Sequence, residues 1–263
     1  MGDVSRANPS TVRWFGLVLL CAAPLTFAQV TPDTSLGEMR TLLQEGLYAL
    51  AAQVEGPELV QTLPEDAEAH FLYARALYLT GDLATAETQL ARALSLDDAK
   101  PEYAQLGALI AAARGDLVGA QTLLETTLER APSYSVAMDL GRVAWQAGNF
   151  GRALSAYEVA AGTPEGALEP WSHLHRARLL ALSGDHEASI ERWNDALNVL
   201  DDASLANEDA LPSPAYVEAF YGLGEAYEAL GELREAAANY DAALAADPSF
   251  EPAAEALERL GAQ

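Results

Sequence analysis

Residues 217–250 read VEAFYGLGEAYEALGELREAAANYDAALAADPSF. Leu223, Tyr227 and Leu230 recur at helical spacing before Gly231, and Ala236, Tyr240 and Ala243 do so after it. The stretch therefore predicts two helices joined at Gly231, which can end the first in a left-handed conformation without a Cβ clash. The residue that follows each such Gly, usually Asp or Asn, is placed to cap the second helix.

Working outward, the same arrangement recurs at Gly81-Asp82, Gly115-Asp116, Gly148-Asn149 and Gly184-Asp185. A small residue stands seven positions before each Gly: Ala74, Ala108, Gly141, Ala177 and Gly224. Another stands five beyond it, at Ala86, Ala120, Ala153, Ser189 and Ala236, and a third twelve beyond, at Ala93, Thr127, Ala160, Ala196 and Ala243. Nine beyond comes a bulky apolar residue: Leu90, Leu124, Tyr157, Trp193, Tyr240. The first two Gly-to-Gly intervals are 34 and 33 residues, the length of a helix-turn-helix repeat. Small side chains at fixed points let paired helices approach closely, and the bulky one fills the space between neighbours.

At this point the chain resembles the tetratricopeptide repeat family. The family's pattern is met best by Phe220, Leu223-Gly224, Tyr227, Ala236, Tyr240 and Pro248. Pro132 holds the same closing place in an earlier unit, whereas Asp98, Glu165 and Asp201 stand where Pro is usual. The expected organisation is four repeats over residues 67–203 (67–100, 101–134, 134–167, 170–203), a polar insertion loop at 204–216 and a fifth repeat at 217–250. Residues 29–66 form a degenerate N-terminal repeat or cap, in which Met39, Glu55 and Glu58 break the pattern. Residues 251–263 form a capping helix with Ala254, Leu257 and Leu260 on its buried face. The resemblance implies an all-α, right-handed α-solenoid.

Residues 1–28 have the make-up of a secretory signal peptide. Arg6 and Arg13 precede the apolar run Trp14–Ala23, Pro24 follows, and Thr26-Phe27-Ala28 offers small residues for cleavage. The run is short of the ~20 residues that a membrane span needs. Cleavage would leave no membrane span, and the alternative is an uncleaved N-terminal anchor. Cys21, the only cysteine, follows Leu20, which departs from the small residue expected before a lipidated cysteine. The expected address is the periplasm or cell surface.

The formal net charge of −24 argues against nucleic acid as a partner and against adsorption to anionic lipid. No nucleophile motif, phosphate-binding Gly loop or paired metal-ligand motif occurs. His173 and His175 are two apart and point to different sides of a helix, and His186 begins another. The expectation is a non-enzyme that takes no cofactor and no metal.

In tetratricopeptide proteins the first helices of the repeats line a concave groove that receives extended peptides or partner helices. Positions ten, six and three before each Gly share one helical face. They read Phe71, Arg75, Tyr78; Gln105, Leu109, Ala112; Met138, Arg142, Trp145; Leu174, Arg178, Ala181; and Tyr221, Glu225, Glu228. Arg75, Arg142 and Arg178 are thus candidates to bind acidic side chains or a free C-terminal carboxylate. Phe71, Tyr78, Met138, Trp145 and Tyr221 would supply apolar anchors. The competing reading pairs each Arg with a neighbouring acid and packs the aromatics between repeats. Two functions follow: an exported scaffold or adaptor binding proteins or peptides in the cell envelope, or a structural subunit of an envelope assembly, secretion or pilus machine.

Overall fold

The computed structural model describes residues 32–206 and 213–261, which form thirteen helices and no strand among the described residues. The expected signal segment, 1–28, lies outside them. Helix α1 is Pro32–Gln44; α2 combines Tyr48–Leu50, a π-helical stretch Ala51–Glu55 and Gly56–Thr62. The repeats follow as hairpins: α3 (Ala67–Thr80) with α4 (Leu83–Leu96), α5 (Pro101–Ala113) with α6 (Leu117–Arg130), and α7 (Tyr134–Gln146) with α8 (Phe150–Ala161). Then come α9 (Trp171–Leu182) with α10 (His186–Ala206), and α11 (Pro214–Leu230) with α12 (Leu233–Ala246). Helix α13 (Glu251–Gly261) packs on α12 and closes the stack. Each hairpin packs against the next, so the chain is an α-solenoid.

Each hairpin turn is built by its Gly and the residue after it. Gly81 has φ 87°, and the Asp82 amide donates back to the Leu77 carbonyl at 2.9 Å, which stops the helix in a six-residue reverse loop. The Asp82 carboxylate then accepts from the Thr85 amide at 3.2 Å. Asp116, Asn149 and Asp185 cap the corresponding helices in the same way, whereas the longer Glu232 makes no side-chain cap.

The seam between the two helices is where residue sizes match. Ala74, Ala86, Ala93, Ala120, Ala153, Ala160, Ala196, Ala236 and Ala243 are all fully buried. Where the bulky seam residue is Leu90 or Leu124, its counterpart seven before the Gly is Ala. Where it is Tyr157 or Tyr240 the counterpart is Gly141 or Gly224, and a Cβ there would lie 2.4 Å from the ring. Trp193 leans instead on the next unit, where a Cβ on Gly222 would lie 2.3 Å from its ring.

Three local expectations are corrected. Met39 is fully buried and does not break the first unit. It puts the bulk seven before Gly46, and Glu55 stands at the position that is bulky elsewhere, so the two sizes are exchanged. The 204–216 insertion is shorter than expected: α10 continues to Ala206 because Asp201, unlike Pro, does not stop a helix. Helix α11 starts at Pro214, with the Ser213 hydroxyl accepting from the Ala215 amide at 3.3 Å; residues 207–212 lie outside the described part. On α13 the buried residues are Ala253 and Ala256, with Leu257 and Leu260 half-buried beside them and Ala254 at the margin.

Candidate functional site

The first helices of successive units touch one another, α3 with α5, α5 with α7 and α9 with α11, which brings the ten-six-three positions into one row. Three recesses lie along that row. The first, about 410 Å³, is lined by Phe71, Arg75 and Tyr78 of α3, Gln105 and Leu109 of α5, and Asp139 of α7. The second, about 230 Å³, is lined by Arg142, Trp145, Tyr157, His175 and Arg178. The third, about 410 Å³, lies between α9 and α11 and includes Arg178, Trp193, Glu218, Tyr221 and Glu225.

The three arginines differ in their company. Arg142 donates to Asp139 one turn earlier at 2.8 Å, and Asp139 also accepts from Gln105 of the preceding unit at 2.7 Å. Arg178 donates to Glu218 of the next unit at 2.6 Å. Arg75 is exposed and makes no side-chain hydrogen bond or ion pair among the described residues. For Arg142 and Arg178 the ion-pair reading therefore holds in the unliganded chain. Such exposed pairs are worth ~0–1 kcal/mol, so an incoming carboxylate can exchange with either acid.

The apolar candidates also divide. Phe71 stacks on Tyr103 of the next unit, with ring centroids 4.6 Å apart, and so braces two repeats while keeping an edge on the first recess. Tyr78 lines that recess too. Trp145 meets Phe150 edge-on at 6.0 Å and borders the second recess. Tyr221 packs against Tyr240 and Phe250, at 5.6 and 5.3 Å, and borders the third. Met138 lines none of the three recesses; it packs with Trp145 and Leu154 against the core.

Several contributors were not singled out from the sequence. His175 stacks on Tyr157 at 4.8 Å, and burial, reinforced by Arg178, pulls its pKa down to about 4. The imidazole is thus neutral between two guanidiniums. Burial also pushes the Tyr157 hydroxyl up to about 12, against the opposing pull of Arg142 and Arg178. Asp139 and Glu218 neutralise two of the three arginines. Both stand one helical turn from a named row position, three before Arg142 and three before Tyr221, which is the signal that would have found them.

Among the described residues no group of three or more His, Cys, Asp and Glu is arranged to hold a metal ion. None of the described helices is long and apolar enough to cross a membrane. The arrangement offers surface, donors and apolar pockets, which is equipment for recognition.

Comparisons with known proteins agree with the repeat fold. Residues 40–104 and 106–167 match one tetratricopeptide repeat family model, and residues 170–193 and 217–250 match two others of the same description. No curated protein is detectably similar in sequence. Among solved structures, the chain is similar to YrrB, described as a tetratricopeptide protein with an unusual peptide-binding site. The TM-score is 0.58 at 19% identity, over 79% of this chain and 99% of that one. It is similar to the C-terminal part of a tetratricopeptide protein from Cytophaga hutchinsonii, with TM-score 0.64, 16% identity and coverage of 88% and 89%. It is also similar to pilF of Pseudomonas aeruginosa, with TM-score 0.64, 15% identity and coverage of 88% and 96%. At these identities the likeness is one of fold.

Proposed function

The chain belongs to the tetratricopeptide repeat family, and on that premise we propose that it is an exported scaffold that holds a partner protein in the cell envelope. The row of recesses along the first helices is its concave groove, and the ligand is an extended segment with acidic side chains or a free C-terminus. One observation carries this reading. In a chain of net charge −24, Arg75 is a guanidinium with no ion pair among the described residues, set with Phe71 and Tyr78 in a recess that Glu102 and Asp139 also line. Its fork of donors matches a carboxylate of the partner. The opposite end of the row is acidic at Glu225 and Glu228, so the groove orients what it binds.

The export part of the proposal rests on the composition of residues 1–28. The peptide-binding site in the description of YrrB is a property of YrrB, and it supports this reading by analogy of fold alone. Capture from envelope extract tests the groove. Arg75→Glu loses the partner while staying folded, and Arg142→Glu weakens recovery less, because Arg142 already has Asp139. Equal recovery by folded Arg75→Glu and the unaltered chain would refute the assignment.

A second reading, a self-associating structural subunit, is favoured by Leu47, Leu50 and Val54, large apolar residues left exposed at the N-terminal end. Light scattering separates the two: a stable oligomer supports the subunit, a monomer the adaptor.

A further inference from the structure

Like the first recess, which Arg75 shares with Glu102 and Asp139, the recess between α9 and α11 holds one guanidinium and two carboxylates, but here the guanidinium is paired. Two carboxylates, Glu218 and Glu225, share it with one guanidinium, Arg178, and that guanidinium is taken by Glu218 at 2.6 Å. Glu225 has no ion pair of its own among the described residues. The Tyr221 hydroxyl one turn earlier favours its charged form, and Arg178 and Arg259 act on it at longer range. Burial raises its pKa, and Glu228 adds to that rise, so the carboxylate sits where its charge is poorly compensated. The rest of the lining is aromatic or aliphatic: Tyr221, Trp193, Leu182 and Ala226.

A second observation points to a ligand. Trp193 is only 3% exposed, and its Nε1 is buried with no hydrogen-bond partner; the same is true of Nδ1 of His186, which stands two turns earlier on α10 and also lines the recess. Unmatched buried polar atoms are costly, and two on the walls of one cavity leave hydrogen-bonding capacity for a guest. A metal ion is a poor candidate for that guest, since no set of three ligating side chains converges there among the described residues. A long aliphatic stem ending in a cation fits the carboxylate and the apolar wall, while the Trp193 indole N–H, itself a donor, takes an acceptor instead. The stem lies along Leu182 and Tyr221, the charge meets Glu225, and the aromatic faces favour a cation.

We propose that this recess is a subsite for a lysine or arginine side chain carried by an extended segment of the partner protein. The assignment rests on the groove reading above and adds to it. The ligand then carries a basic residue at the end of the groove remote from Arg75 and acidic groups at the other, which sets the direction in which it lies. The Trp193 indole donor meets a backbone carbonyl of that segment once the guest opens the wall.

The test uses the full-length chain and small probes: the N-acetyl amides of arginine, lysine, norleucine and glutamate. The Trp193 indole N–H resonance, assigned with Trp193→Phe, is followed during titration. The arginine and lysine amides are expected to shift it saturably in the millimolar range, with the norleucine and glutamate amides without effect. Glu225→Gln is expected to weaken the shift about tenfold, the loss of one charge-assisted contact, and Arg75→Glu to leave it unchanged. An equal response to norleucine, no response to arginine, or indifference to Glu225→Gln overturns the subsite. If Arg75→Glu loses the cellular partner while arginine amide leaves Trp193 unmoved, the groove stands and this subsite falls. If arginine amide binds but neither Arg75→Glu nor Glu225→Gln alters partner recovery, the groove reading falls and with it the assignment of this recess to the partner.

Discussion

Gly224 of α11 lies flat against the ring of Tyr240 of α12, so close that a Cβ would come within 2.4 Å of Cε1. Tyr240 is fully buried there, and its hydroxyl donates to Glu228 at 2.8 Å. Gly224→Ala improves helix propensity by ~0.5–1 kcal/mol, but the ring has no room to withdraw, and overpacking costs about 1–3 kcal/mol. The net expectation is destabilisation in urea unfolding. Tyr240→Leu in the same chain recreates the Ala–Leu pairing of Ala74 with Leu90, so the double variant is less destabilised than the two single effects added together. Strict additivity would show that the two residues do not share one space.

Glu232 is the one post-glycine residue of the five that fails to cap its helix. Its carboxylate is a methylene too far from the backbone to accept from the amide three residues on. Glu232→Asp is expected to stabilise the last repeat by about 0.5–1 kcal/mol, and Asp116→Ala to destabilise its own by about 1 kcal/mol. Denaturant midpoints check both, and amide hydrogen exchange locates the change in α12 or α6.

His175 gives the stack a pH dependence whose sign is fixed. Its folded pKa is about 4, against 6.5 unperturbed. Between those values the unfolded chain binds a proton that the folded chain refuses. The stabilisation from the neutral ring is therefore complete above pH 6.5 and is lost as pH falls towards about 4. His175→Phe keeps the stacking on Tyr157 and is expected to flatten the stability profile in that window, as followed by thermal unfolding at successive pH values.

Glu218 and Asp139 hold Arg178 and Arg142 in the free chain. Replacing them, as Glu218→Gln and Asp139→Asn, leaves both guanidiniums to an incoming ligand. Binding of a synthetic peptide ending in Glu-Glu with a free carboxylate should tighten severalfold, while stability falls by no more than about 1 kcal/mol. Calorimetric titration of each variant checks the expectation, and weaker binding would place the carboxylates, not the arginines, in contact with the ligand.

The fold was legible because a phase carries it: Gly81, Gly115, Gly148, Gly184 and Gly231 mark turns, and small and bulky residues keep step with them. Departures from phase were harder to read. Met39 looked like a fault because its bulk appears on the opposite side of the seam from Tyr157 or Tyr240. The continuation of α10 to Ala206 depends on what Asp201 fails to do. The candidate site was legible only as a row of positions. Arg142 meets Asp139 one turn away on its own helix, a contact that helical spacing does show. That Arg178 is matched while Arg75 is not depends on a side chain reaching across units, from Arg178 to Glu218, which spacing within one helix does not show.

Photo-crosslinking in native cells bears most directly on the central claim, that a partner lies along the first-helix row. Benzoylphenylalanine is placed in turn at Tyr78, at Tyr221 and at Val118, which is exposed on α6 away from the row. One and the same partner polypeptide joined at Tyr78 and Tyr221, and absent at Val118, is the predicted result. Crosslinks confined to Val118, or different proteins at the two ends of the row, would contradict it.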